Sequence, residues 1–243
     1  IRLRGNSTMK MPKKPFAIKF DKGQEVLGMP KHKRWVLLAN WIDRTMIRNA
    51  VAFDLAHQTE NAWRDQGLEQ GMLWNPHGQN VELVIEGRHV GNYYLCEQIK
   101  IDGDRLAIND CYDDVKDDSG TTTADDISNV GFLLEFDDAY DEDYKFKTSY
   151  RSLPCMFKDN PGTHYSTIKS KINTIDNNLY NGNYSAAYEQ FDIYSIIDQW
   201  LVLETTMNNE WRYPKSVYMY VNGNGKLSAG PVWDFDYQTF PNF

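Results

Sequence analysis

The sequence predicts an α+β protein, strand-rich in its first part and helix-rich in its second. Three observations carry this. Residues 1–100 hold short alternating or β-branched runs separated by Gly-containing turns. Two segments, Arg44–Trp63 and Asp192–Met207, space their apolar residues as helices do. No repeat links the two parts.

The elements follow in order. The sequence itself shows no signal-peptide pattern, and Ile1-Arg2-Leu3-Arg4 has the character of mid-strand, so the sequence is expected to be a trimmed piece from which targeting information is lost. Phe16-Ala17-Ile18-Lys19-Phe20 alternates as a strand. Arg44–Trp63 places Ile47, Val51, Leu55 and Ala62 near helical spacing. Val81–Ile85 and Val90–Cys96 flank Glu86-Gly87-Arg88-His89 and predict a hairpin. Gly131–Phe136 and Val217–Val221 are further strands, the second running into the turn Asn222-Gly223-Asn224-Gly225. The Asn-rich stretch Asn173–Ser185 is expected to be loop. Asp192–Met207 opens on an acidic N-cap and carries Ile193, Ile196, Ile197, Trp200, Leu201 and Leu203, which predicts a mostly buried helix.

Composition narrows the function. With 41% hydrophobic and 25% charged residues over 243 positions, wholesale disorder is excluded. No apolar run reaches the roughly 18–20 residues of a membrane span. The net charge of −8 hides an asymmetry: residues 1–50 carry 12 Lys/Arg against 3 Asp/Glu, and the remainder is strongly acidic. A basic start suits an anionic ligand or a solvated basic face, and the overall acidity argues against a general nucleic-acid binder. Residues 102–143 hold 15 Asp/Glu with only Arg105 and Lys116 for balance, which predicts a surface insertion near 110–128; calcium binding is a second reading, without the EF-hand spacing. Cys96, Cys111 and Cys155 form no CxxC and allow at most one disulfide. The five histidines are scattered, so a structural zinc site is not expected, and the 14% aromatic content favours a secreted protein.

Chemistry concentrates late in the chain. In Gly230-Pro231-Val232-Trp233-Asp234-Phe235-Asp236 two carboxylates flank an aromatic residue. Such a pair can hold a hard cation, since magnesium bridging nucleotide phosphates needs only one or two protein carboxylates; equally, the aromatics can pack while the acids cap a turn. Glu210 follows the long helix in Asn208-Asn209-Glu210, ahead of Lys215-Ser216 and a strand. A carboxylate there can orient a hydroxyl proton, or be an exposed acid at a helix end. Opposite charge comes from Lys19 on its alternating strand and from the turn Arg4-Gly5-Asn6-Ser7-Thr8, which can approach an anion closely or be a plain β-turn.

Taken together these segments resemble the CotH family of atypical protein kinases, named after a spore coat protein. The resemblance rests on Arg4–Thr8, Pro12–Phe20, Leu27–Lys31, Trp35–Asn40, Arg48-Asn49-Ala50, Gly91–Lys100 and Gly230–Asp236, in register along nearly the whole chain. It implies a kinase-like two-lobed fold, residues 1–100 forming the N-terminal lobe and 101–243 the C-terminal lobe. ATP and Mg or Mn would lie in the cleft between them, with phosphate passing to Ser/Thr of a protein substrate. Lys19 resembles the lysine that contacts ATP phosphates, and Arg4 and Asn6 lie in the turn that would meet the nucleotide. Glu97-Gln98-Ile99-Lys100 resembles the hinge beside adenine. Asp234 is similar to the metal-binding Asp of a DFG-type motif, with Asp236 beside it. Glu210 falls where the family commonly has Asp, and Ser216 near a position that is often Asn and helps hold a second metal. These departures also fit a non-catalytic surface or envelope module that keeps the fold and binds nucleotide. The family's association with envelopes and spore surfaces implies an extracytoplasmic or cell-surface site.

Overall fold

The structure is a computed structural model that describes residues 1–68, 70–108, 131–222 and 225–240. The acidic insertion, Cys111 and the Gly223-Asn224 pair of the last hairpin turn lie outside the described residues.

Two antiparallel sheets of five strands organise the chain. The first holds β1 (Arg2–Leu3), β2 (Phe16–Val26), β3 (Met29–Leu38), β4 (Gly78–Ile85) and β5 (Arg88–Glu97) in the order β1-β2-β3-β5-β4. Its two hairpins close through Leu27-Gly28 and Glu86-Gly87, all four residues at positive φ, as tight two-residue turns require. The predicted hairpin is therefore present with a shorter turn, because His89 and Arg88 pair with Val84 and Ile85. β3 has no alternating apolar signature over Pro30–Arg34, where four basic residues face outward or sit half-buried, and this hid it from sequence reading.

The period-two pattern of β3 and β5 gives the sheet two apolar faces. Trp35, Leu37, Tyr93 and Leu95 pack with Phe16, Ile18 and Phe20 on one side. On the other, Val36, Leu38, Tyr94 and Cys96 meet Ala52, Phe53 and Ala56 of helix α1 (Arg48–Arg64). The helix starts four residues later than its pattern suggested. Asp43, fully buried, holds the approach through the backbone N–H groups of Thr45 and Arg48, both at 2.9 Å.

The second sheet comprises β6 (Phe132–Phe136), β7 (Lys145–Lys147), β8 (Pro154–Phe157), β9 (Val217–Val221) and β10 (Leu227–Ala229), ordered β10-β9-β6-β8-β7. Among the described residues the second part is thus α+β in its own right, with three α-helices beside a five-stranded sheet, rather than simply helix-rich. Helix α2 (Tyr165–Tyr180) covers one face, setting Ile168, Ile172 and Ile175 on Phe132, Leu134 and Phe157. The expected loop at Asn173–Ser185 is instead the end of this helix and the start of α3 (Tyr184–Tyr188). The apolar series 168, 172, 175, 179 outweighs the weak helix propensity of its asparagines.

Helix α4 (Ile193–Thr205) begins as predicted, Asp192 accepting the Tyr194 and Ser195 N–H groups. Its burial is the reverse of the expectation. Ser195, Asp198 and Val202 face inward, while Ile193, Ile197, Trp200 and Leu201 are exposed. The inward polar groups are satisfied: Asp198 accepts from Trp63 Nε1 (3.0 Å) and the Met72 N–H (3.1 Å), and Ser195 Oγ accepts the Ala229 N–H (2.9 Å). Among the described residues no helix is long and apolar enough to cross a membrane. Cys96 and Cys155 are buried free thiols.

Candidate active site

The segment after β10 is fixed by what it buries. Val232 and Phe235 enter the core beside Val36 and Phe53, and Trp233 stacks on Phe53 at 5.8 Å. Two buried asparagines hold its backbone: Asn75 Oδ1 accepts the Val232 N–H (3.0 Å) and Asn49 Oδ1 the Phe235 N–H (2.8 Å). Gly230 is needed here, at φ +100° and with no room for a Cβ, which would come 2.9 Å from Met72 Sδ. With its apolar residues committed inward, the segment turns Asp234 and Asp236 into a cavity of about 620 Å³. Asp234 sits at φ +66°, a left-handed conformation that costs a non-glycine residue about 1–3 kcal/mol and recurs at functional sites.

Glu210 arrives from the end of α4. Asn208 Oδ1 accepts its N–H (2.8 Å), and Asn208 in turn reaches Thr239 (3.3 Å), so Glu210 and the aspartate segment share one support. Ser216, at φ +50°, donates its N–H to Asp137 Oδ2 (2.8 Å), with its hydroxyl 3.3 Å from the same oxygen. Glu210, Ser216 and Asp137 line the cavity, with Asn208 and Thr239 supporting them from behind it.

The charges are unequal. Glu135, Asp137, Asp141, Glu142, Glu210, Asp234 and Asp236 line the cavity against Arg4, Lys158 and Lys215. Lys158 bridges Glu135 and Glu142 at 2.5 Å each; burial opposes its charge, but the two carboxylates outweigh burial and raise its pKa. Burial, then the neighbouring Asp234 charge, pushes Glu210 up to about 7. Burial, then the Asp234 charge and the hydrogen bond between the two carboxyls, likewise push Asp236 up to about 8. Asp234 is also raised by burial, with Arg4 opposing.

Oxygen donors that retain protons near neutrality are a set short of positive charge, and a hard divalent cation fits them. Among the described residues no group of three or more His, Cys, Asp or Glu can hold a metal alone. A cation here would therefore share Asp234 and Asp236 with oxygens of a ligand, as nucleotide-bound magnesium does.

Of the residues singled out from sequence, Arg4, Asn6, Glu210, Ser216, Asp234 and Asp236 are brought together around the cavity. The predicted Arg4–Thr8 turn is real, and a Cβ at Gly5 (φ +87°) would strike the Thr8 hydroxyl. Lys19 is a correction: it is exposed on β2 opposite Arg34 and does not line the cavity. The cavity wall takes Pro15 from this strand's approach, and four residues at about 3.3 Å each carry Lys19 about 13 Å further along. The hinge-like segment also stands apart from the cavity. Glu97 is buried, accepting the His77 N–H (2.9 Å) beside Arg105 (3.8 Å); the Gln98 carbonyl takes Arg105 Nη1 (2.5 Å); Lys100 pairs with Asp159 (3.2 Å). The buried Arg105 ties this stretch to β3 through the Arg34 carbonyl (2.7 Å).

Sequence reading missed Asp137, Lys158 and Asn49. Asp137 was hidden in the acidic stretch, although a carboxylate pair directly after a strand was a usable signal. Lys158 carries none, and Asn49, although part of the Arg48-Asn49-Ala50 match, was given no role, because both roles arise from long-range packing.

The fold and site define an α+β protein whose two sheets carry a carboxylate-rich cleft with a basic turn at its rim. A family model described as CotH kinase protein matches residues 1–240, essentially the whole chain, and the protein belongs to that family. A search of curated proteins gives no match.

Proposed function

We propose that this protein is a CotH-type kinase that binds ATP with Mg or Mn and passes the γ-phosphate to Ser/Thr of a protein substrate. One observation supports this most: Asp234, Asp236 and Glu210 gather with Arg4 and Lys158 around one cavity. We read its two ends as the facing parts of a kinase-like two-lobed arrangement. The family association favours an extracytoplasmic or cell-surface site.

Asp234 and Asp236 are the residues that would hold the metal, and Asp137 with Ser216 stands nearby for a second. When bound, the cation supplies charge neutralisation for the phosphates. Arg4 and Lys158 contribute fixed positive charge toward phosphate oxygens, the role first expected of Lys19. Glu210, poised at about 7, accepts the hydroxyl proton of the acceptor side chain, since a base works best near the operating pH. The test is transfer from labelled ATP, with metal, to a Ser-rich or acidic protein. Transfer above an Asp234→Asn control is expected, and equal signals would overturn the activity.

A second reading, a non-catalytic nucleotide-binding module, draws on Glu210 standing where the family has Asp and on Lys19 lying outside the cavity. An ATP- and metal-dependent rise in Tm without transfer would select it.

A further inference from the structure

A second cavity of about 620 Å³ adjoins the support of the aspartate segment and shares no lining residue with the first. Phe53 lines it and stacks on Trp233 (5.8 Å). Two more of its lining residues, Ala50 and Pro76, directly follow Asn49 and Asn75, which hold the Phe235 and Val232 N–H groups. Its apolar wall has a local cause. Gly78 pairs with Cys96 and Asn80 with Tyr94 across β4 and β5, and a Cβ at Gly78 would come 2.6 Å from the Tyr94 ring. Glycine therefore leaves that ring its place, with Phe53 tilted against it at 6.0 Å. The polar groups are unequal. The His57 and His77 rings stack at 4.0 Å, and Nδ1 of each meets a buried carboxylate, Glu60 (3.3 Å) and Glu97 (3.1 Å). Charge on either imidazole is thus matched outside the cavity. Asp54 is the one carboxylate in the lining; Gln58 Nε2 donates to its Oδ2 (2.8 Å), and among the described residues no cation pairs with it.

We propose that this cavity is a regulatory site for a small aromatic amine, its ring against Phe53 and Tyr94 and its ammonium on Asp54. The volume suits a small molecule, and a largely apolar wall with a few polar groups is the usual composition of such a site. An ammonium answers the unmatched Asp54 carboxylate and gains from the aromatic faces beside it. A bound ring restricts Phe53 and Pro76, and through them the Trp233 stack and the Asn75 bond to Val232. Occupancy therefore steadies the backbone that presents Asp234 and Asp236. None of the residues proposed to hold metal or phosphate lines this cavity, so the inference stands whether or not the protein transfers phosphate.

The probes are phenethylamine, the neutral phenethyl alcohol and the anionic hydrocinnamate, each titrated against the metal-free protein by ligand-observed NMR. The amine is expected to bind at least about fivefold more tightly than either analogue, and to weaken with added salt. Asp54→Asn, a substitution at an exposed residue checked by circular dichroism, should erase that preference. Should that variant fail to fold, Asn80→Trp must block the amine, since Asn80 is exposed and pairs with Tyr94 on the cavity side of β4. Hydrogen exchange reads the effect on the aspartate segment. With the amine at ten times its dissociation constant, exchange in residues 230–236 should slow about tenfold while α2 is unchanged. Equal or absent binding of the three probes, a preference that survives Asp54→Asn, amine binding that survives Asn80→Trp, or slowing no greater in 230–236 than in α2 would each overturn the proposal.

Discussion

The Arg4 guanidinium lies over the Trp233 ring, 5.7 Å from its centroid, and so ties the first turn of the chain to the residue preceding Asp234. The cation and the carboxylates are thereby held by one contact across more than two hundred residues. Arg4 also opposes the burial-driven rise of Asp234. Its neighbour along the chain, Gly5, lets the turn close against Thr8.

Arg4→Ala should therefore weaken nucleotide binding far more than Lys19→Ala. The lost cation–π contact alone costs about 0.5–1 kcal/mol of stability, and the proposed phosphate partner is lost as well. We expect a drop of about tenfold or more in ATP affinity for Arg4→Ala, measured by calorimetry with metal present, as for other charge-assisted contacts. Lys19→Ala should match the parent protein. Equal losses in the two variants would return the phosphate-binding role to Lys19.

The cavity also predicts an unusual pH profile. Asp236 and Glu210 are raised to about 8 and about 7, whereas unfolded carboxylates titrate near about 4. Between those values the folded protein binds more protons than the unfolded chain, so stability falls as pH rises from about 5 to 8. Metal-free protein should lose Tm over that range, about 2–4 °C for each 1 kcal/mol in a chain of this size. Mn or Mg should restore it most at the upper end, where the carboxylates are free of protons. Asp236→Asn should flatten the metal-free profile, and an unchanged slope in that variant would refute the assignment.

Much of this was legible in sequence wherever one local pattern decided the outcome. The β4–β5 hairpin, β9 and the Asp192 cap were readable because turn chemistry and period-two alternation act over a few residues. Asp is common in turns, so Glu210 and the Asp234/Asp236 pair could be singled out only by their setting, the one at the end of an apolar helix and the other bracketed by aromatics after a Gly-Pro turn. What failed depended on distance. Lys19 looked suitable by alternation, but only register and strand length decide that it stands beyond the cavity wall. The inversion of α4 was hidden because its inward polar groups find partners far away in sequence, Trp63 and Met72 for Asp198.

Asn49 gives the sharpest structural test of the aspartate segment. Its Oδ1 accepts the Phe235 N–H (2.8 Å) and its Nδ2 donates to Asn40 (2.9 Å), both away from solvent. Asn49→Ala leaves a buried N–H without a partner, at a cost of about 1–3 kcal/mol. Asn49→Asp keeps the acceptor toward Phe235 but brings a buried charge beside Asp234 and Asp236, and should weaken the protein further as pH rises. Urea unfolding of both variants checks the order. Loss of stability below about 0.5 kcal/mol in Asn49→Ala would show that the segment is held otherwise.

Glu210 separates positioning from chemistry. Its backbone is fixed by Asn208 Oδ1, and burial with Asp234 keeps its carboxyl poised at about 7. Glu210→Gln preserves shape and removes the proposed base, so on that proposal transfer should fall by about 10²–10⁴-fold while the ATP- and metal-dependent rise in Tm persists. Glu210→Asp restores the side chain the family commonly carries, yet on a backbone anchored for the longer residue. Withdrawing the carboxylate by one methylene is a displacement of about 1 Å, which can cost about a hundredfold in rate. We expect Glu210→Asp to be slower than the parent protein at every pH, with its rate still rising through neutrality. An Asp variant as fast as the parent, or faster, would show that the cavity is shaped for the shorter acid and that Glu210 is what restrains the enzyme.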